Sequence, residues 1–88
     1  MADVPGTDLV EAGLRDLEHR VESVPALLVS IGAPRLRRLG FEIASPFSGP
    51  ELRLYQLLAR DDQNAAHSRY NALIGRLVSF ERSAPCVN

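Results

Sequence analysis

The sequence has no lysine and only one cysteine, Cys86. A single thiol forms no disulfide within its own chain, and it does not provide the set of cysteines that a structural zinc site needs. The absence of lysine indicates no function, because the base composition of a genome is enough to produce it. The cysteine count favours a reducing compartment, and we therefore expect a cytoplasmic protein.

Long apolar runs are absent as well. The longest covers residues 24–29, whereas a membrane-spanning helix needs roughly 20 apolar residues. Residues 1–5 contain neither the basic region nor the apolar core of a signal peptide. These observations predict a protein that neither crosses a membrane nor binds to one.

Groups of residues that carry chemistry are scarce. His19 and His67 lie far apart with no ligand pattern around them, and the glycines occur singly rather than in the run that cradles a phosphate. Cys86 has no base or orienting acid close by in the sequence. We therefore predict a protein that is not an enzyme and that has no catalytic, cofactor or metal site.

The charges are divided unevenly along the chain, although the net charge is only −1. Residues 1–24 contain six acidic residues and two arginines, a net charge of −4, and residues 25–88 contain five acidic residues and eight arginines, a net charge of +3. Opposite charges of this kind pair either within one fold or between two copies of a chain. We expect pairing within the fold.

Two stretches carry apolar residues at alternating spacings of four and three. On an α-helix this spacing places five side chains along one side, as in helices that pack lengthwise on one another. The residues are Val10, Leu14, Leu17, Val21 and Val24 in the first stretch, and Ala66, Tyr70, Leu73, Leu77 and Phe80 in the second. We predict an all-α fold, a small bundle of three to four helices that forms a single domain over residues 1–88, with residues 1–6 and 84–88 frayed.

Local signals suggest where the helices begin and end. Thr7 or Asp8 is expected to cap the first helix, and Pro25 to stop or kink it. Residues 26–31 then form a short buried helix that ends at Gly32, and one or two helical turns follow Pro34.

The second half has clearer signals. Ser48, with a glutamate three residues later, is predicted to cap a third helix that has Pro50 in its first turn. Asp61 or Asp62 is predicted to cap a fourth helix that runs to about Arg82.

The middle of the chain allows a second architecture. Residues 41–44 alternate between apolar and other side chains, as an extended strand would. In the alternative fold, a small α+β domain, residues 26–31 and 41–44 pair as a short hairpin.

Protein–protein interaction is the predicted function. The third helix is apolar on nearly every side, and a chain of 88 residues has little internal surface against which to bury it. We therefore expect a homodimer or another homo-oligomer that acts as a regulator, adaptor or assembly factor by docking its helices on another protein. The predicted core or interface anchors are Tyr55, Tyr70, Leu73, Leu77 and Phe80, with Arg35, Arg37 and Arg38 as a polar recognition patch.

A regulator that binds DNA or RNA is the alternative function. It would use the same three arginines together with Arg69, Arg76 and Arg82 of the fourth helix. The net charge is not the strongly basic one typical of such domains, and no pair of predicted helices fits a helix-turn-helix.

Overall fold

Residues 6–83 fold into four α-helices, in agreement with the predicted all-α bundle of three to four helices. The computed structural model describes residues 6–83, and the helices are α1 (Thr7–Glu18), α2 (Val24–Arg38), α3 (Pro50–Asp61) and α4 (Ala66–Ser83). The alternative α+β fold is wrong, because residues 26–31 lie inside α2 and residues 41–44 form no strand. No helix in the described range is long and apolar enough to cross a membrane.

The central helix is α2, which contacts each of the other three helices. Ala26, Leu27, Val29 and Leu36 are completely buried in it. A helix that is apolar around most of its circumference belongs in the core of a bundle. The third helix, which the sequence predicts to be covered by neighbouring helices or by a partner chain, buries only one side in the fold, through Leu54 and Leu58.

The predicted break within residues 26–40 is also wrong, because α2 runs without interruption through Gly32 and Pro34. An internal proline costs a helix roughly 3 kcal/mol. The residues beyond the expected break are deeply buried: Ala33 is 1% and Leu36 0% exposed. Their burial favours continuation of the helix. This tertiary effect cannot be predicted from the local preferences of glycine and proline.

The junction between α1 and α2 lies earlier than predicted. α1 ends at Glu18, and Arg20 adopts a left-handed conformation with φ of 58° that turns the chain. The apolar side of α1 therefore stops at Leu17, and Val21 is 48% exposed. Pro25 does not end a helix but lies in the first turn of α2, where its missing N–H costs nothing.

Ser23 joins these two helices. Its hydroxyl accepts a hydrogen bond from the N–H of Ala26 at 3.2 Å, which caps α2, and donates one to Asp16 Oδ2 at 2.7 Å. The Ser23 side chain thus provides a hydrogen-bond acceptor for an N–H group in the first turn of α2 and also holds that turn against α1.

The predicted caps of α1 and α3 differ from the observed ones. Gly6 and Gly49, both in the left-handed conformation, are the N-caps, and neither helix has a side-chain cap from Thr7, Asp8 or Ser48 at that position. Gly6 is buried, and the other residues predicted to fray, 1–5 and 84–88, lie outside the described residues. Before α4 the prediction is closer, because Asp62 Oδ1 accepts the N–H groups of Asn64 and Ala65 in the turn that leads into the helix.

Two glycines allow close contacts between helices. At Gly13, where α1 meets α2, a Cβ would overlap the carbonyl oxygen of Pro25 and a methyl group of Val29. At Gly32, where α2 meets α4, a Cβ would lie 3.0 Å from a methyl carbon of Leu77. At Gly13 the backbones of α1 and α2 are closer than a side chain would allow, whereas at Gly32 a side chain would require Leu77 and Glu81 to move by a few tenths of an ångström.

The segment between α2 and α3 is held to the bundle by hydrogen bonds. Arg37 donates to the carbonyl oxygen of Ile43 at 2.8 Å through Nε and at 2.5 Å through Nη2. The N–H of Phe47 donates to the buried Ser30 hydroxyl at 3.0 Å. The guanidinium of Arg20 lies 4.5 Å from the centre of the Phe47 ring, a distance suited to a cation–π contact.

Candidate interaction surface

An exposed apolar surface lies on the outer side of α3. Leu52 is 64% exposed and Tyr55 is 38% exposed. They are three positions apart, so they lie on the same side of the helix. Exposed apolar residues that lie together are typical of surfaces that contact other proteins.

Tyr70 of α4 extends this surface. Its ring lies 5.9 Å from that of Tyr55, measured between centroids, with the two planes tilted by 56°. Burial raises the pKa of Tyr70, and the charge of Glu51 raises it further, so its hydroxyl stays neutral at physiological pH. We call Leu52, Tyr55 and Tyr70 the α3 face; its three side chains are uncharged, two of them carry hydroxyl groups, and the Glu51 carboxylate lies near Tyr70.

The other predicted anchors lie deeper in the fold. Leu77 is 4% exposed and Phe80 5% exposed, both within the core, and Leu73 is partly buried against that core. The Phe80 ring lies 5.7 Å from the Phe41 ring. These three residues hold α4 in the bundle, and of the predicted apolar anchors Tyr55 and Tyr70 lie at the α3 face.

The three arginines at the end of α2 do not form one patch. Arg35 lies 3.8 Å from Glu81, whereas Arg37 holds the carbonyl group of Ile43 on another side. Arg38 has no ion pair or side-chain hydrogen bond with any residue of the described chain. Two positions correspond to about 200° around a helix, so Arg37 points to a different side of α2 from Arg35, whereas Arg38, three positions after Arg35, lies on the same side as Arg35.

Most of the remaining candidate cations are paired. Arg69 lies 2.6 Å from Asp61, and Arg76 lies 3.4 Å from Asp8. The Arg76–Asp8 pair, together with the Arg53–Glu22 pair at 3.1 Å, links the acidic first part of the chain to its basic remainder, as the charge distribution predicts. All of these pairs are exposed, so each adds at most about 1 kcal/mol to stability.

A groove between α2 and α4 contains a carboxyl group, that of Glu81, which is not among the predicted site residues. The cavity is about 280 Å³ in volume, and Glu81, whose side chain is only 7% exposed, lies at one end of it. Burial raises the pKa of this carboxyl group, and the nearby charge of Arg35 opposes the rise only in part. Glu81 follows Leu77 by four positions, so its place on the apolar side of α4 was a signal available in the sequence.

A wider cleft of about 540 Å³ lies between the end of α1 and the segment after α2. Leu14, Leu17 and Ile43 line it, with Glu18 and Glu42 among its charged residues. Arg20 also lines it, but its guanidinium already donates to the carbonyl oxygen of Ser45 at 2.6 Å.

The histidines are separate from one another. His19 Nδ1 lies 2.8 Å from the carbonyl oxygen of Arg15, and His67 Nε2 lies 3.3 Å from the Asn71 amide. Within residues 6–83 no three metal-ligating side chains come together. Cys86 lies outside the described residues.

No family model, curated protein or solved structure matches this chain. The chain is therefore classified by its fold alone, as a four-helix all-α domain over residues 6–83.

The buried carboxyl group of Glu81 leads to a prediction about stability. Because its pKa is raised in the folded state, ionisation destabilises the fold as pH rises above the unfolded-state value of about 4.3. We expect Glu81→Gln to raise the melting temperature at neutral pH, and we expect this gain to vanish below about pH 4. Thermal unfolding of both chains at the two pH values tests this, with the exposed Glu11→Gln as the control; a loss of stability at neutral pH would contradict it.

Proposed function

We propose that the chain is a small, non-enzymatic helical interaction module that associates with a second copy of itself through the α3 face and acts as a regulator, adaptor or assembly factor. The exposure of Leu52 and Tyr55 on one side of α3 is the observation that supports this proposal most strongly. We propose the cytoplasm as its location on the ground of the cysteine content alone.

The chemistry of the α3 face suits a second copy. A two-fold dimer places the same patch on both sides of the interface, so the patch must be complementary to itself. The side chains of Leu52, Tyr55 and Tyr70 are uncharged, so these three residues do not repel the same residues of a second copy. Tyrosine is enriched among the residues that dominate interface energies, and burial of Leu52 would remove an apolar side chain from water.

Nucleic acid is the less favoured partner. Arg35, Arg37, Arg69 and Arg76 are engaged with acidic side chains or a backbone carbonyl group. To bind a phosphate backbone, several of these arginines would have to release their present partners. Of the candidate arginines, Arg38 and Arg82 are left, and two positive charges contribute little to nucleic-acid affinity.

Sedimentation equilibrium of the full chain tests self-association. We expect a dimer at micromolar concentration, with a mass of twice 9.7 kDa. Leu52→Glu would bring two carboxylates into an apolar interface, and we expect it to weaken association at least about tenfold. Leu52 is exposed in the single chain, so this change should leave the helical circular dichroism signal intact.

Val21→Glu is the matched control, because Val21 is also an exposed apolar residue but lies between α1 and α2. It should associate like the unmodified chain. A mass of 9.7 kDa at all concentrations, or equal weakening by both substitutions, would contradict the proposed use of the α3 face.

A further inference from the structure

The groove between α2 and α4 is apolar along most of its length. Ile31 and Pro34 line it from α2, and Ile74 and Val78 line it from α4. We call these residues, with Glu81 at one end, the Glu81 groove. From Ile74 to Glu81 it follows α4 for about 10 Å, two turns of helix, which is a length suited to the side of another helix.

The groove owes its depth to Gly32. A Cβ at this position would lie 3.0 Å from Glu81 Oε2 as well as from the Leu77 methyl group. The carboxylate therefore lies directly against the backbone of α2, below the apolar rim. A longer side chain at position 32 would fill the space in front of it.

Glu81 has more acceptor capacity than the fold uses. Arg35 Nη1 lies 3.8 Å from Oε1, beyond hydrogen-bonding distance, and the Arg35 side chain is 63% exposed. No other residue of the described chain forms a hydrogen bond or ion pair with the Glu81 carboxylate. An ionised carboxylate has sites for about four hydrogen bonds, so a buried one with a single distant counter-ion is suited to a further cation.

We propose that the Glu81 groove binds a helix of another protein that presents aliphatic side chains beside an arginine. The aliphatic side chains fill the space between Ile31, Ile74 and Val78, and the arginine replaces Arg35 at Glu81. Arginine fits better than lysine because its planar guanidinium donates two parallel hydrogen bonds to a carboxylate. The groove shares no lining residue with the α3 face, so this inference does not rest on self-association.

The probe is an alanine-rich helical peptide with two leucines one turn apart and an arginine one turn further on. Two matched peptides carry glutamine or glutamate in place of the arginine. Titration of the isotope-labelled full chain, followed by the methyl NMR signals of Ile31, Ile74 and Val78, measures their binding. We expect the arginine peptide to bind about tenfold more tightly than the glutamine peptide, the ratio typical of one charge-assisted hydrogen-bonded pair.

Three variants separate recognition by Glu81 from a general effect of charge. Glu81→Gln should remove the preference for the arginine peptide while binding of the glutamine peptide persists. Arg35→Ala removes the competing cation, so the arginine peptide should bind several-fold more tightly. Arg38→Ala, one turn further along α2 at a residue that does not line the groove and has no ion pair within residues 6–83, is the control and should change neither peptide's affinity.

Two results would overturn the proposal. Tightest binding by the glutamate peptide would mean that Arg35, and not Glu81, is the recognition group. Equal binding of all three peptides, or shifts at Leu52 rather than at the groove methyl groups, would mean that the groove does not select a basic helix. Self-association is measured separately on the unlabelled chain, so a negative result in the peptide titration would not contradict the proposed dimer.

Discussion

Replacing Leu77 with alanine is expected to lower the free energy of unfolding by about 2–5 kcal/mol, the range for removal of a large buried aliphatic side chain. Leu77 is 4% exposed and lies against the backbone of α2 at Gly32. A fold of 88 residues has a total stability of roughly 4–13 kcal/mol, so this single change would unfold a measurable fraction of the protein. Chemical denaturation at a fixed protein concentration measures the loss.

Ser79→Ala is the control for this experiment. Ser79 is exposed on the opposite side of α4, and its replacement should change stability by less than about 0.5 kcal/mol. If Leu77→Ala is as stable as the unmodified chain, then α4 does not pack on α2 as described.

Gly13→Ala is the second substitution with a large expected effect. In an exposed helix, alanine is more stable than glycine by about 1 kcal/mol. At Gly13 the added methyl group meets the carbonyl oxygen of Pro25, and the backbone of one helix has to move. We expect a net loss of about 1–3 kcal/mol, as for overpacked cores, and a fall in melting temperature of at least about 4 °C.

Gly75→Ala makes the same chemical change where the space is open. Nothing lies within 4 Å of the position that its Cβ would occupy, so we expect a gain of about 0.5–1 kcal/mol from helix propensity. Opposite signs for the two substitutions would confirm the close contact between α1 and α2. A gain at both positions would show that these helices are further apart than described.

The sequence predicts the parts of the fold that depend on regular spacing. The apolar side of α4 is one example, since Ala66, Leu77 and Phe80 are all buried as their spacing indicates. The first half of the chain is less predictable from spacing alone. Val21 and Val24 continue the repeat of α1 in the sequence, but Arg20 turns the chain before them.

Helix α2 shows why local signals fail in a core. Gly32 and Pro34 have low intrinsic helix propensity, yet both lie inside one helix because Leu36 beyond them is buried, and a small residue fits closely opposite Leu77. These requirements arise only when three helices pack around α2, so they cannot be predicted from one segment of the sequence at a time.

The candidate surfaces, like the helices, can be predicted from the sequence only in part. Tyr55 and Tyr70 could be selected as anchors from their residue type, but their contact at 5.9 Å exists only after α3 and α4 have packed. Arg35, Arg37 and Arg38 are close in sequence, but the rotation of the helix turns Arg37 away from the side that Arg35 and Arg38 share. The position of Glu81 four residues after Leu77 places it on the apolar side of α4, but its contact with Gly32 and the 7% exposure of its side chain exist only after α4 has packed on α2.

The most direct measurement of the proposed self-association is the concentration dependence of methyl and aromatic NMR signals of the unmodified chain. We expect the Leu52 methyl and the Tyr55 and Tyr70 ring signals to shift together, with one dissociation constant in the micromolar range, while the Val21 methyl signals stay in place. Unchanged signals at the α3 face over that range, or shifts confined to Ile74 and Val78 in the Glu81 groove, would contradict the account.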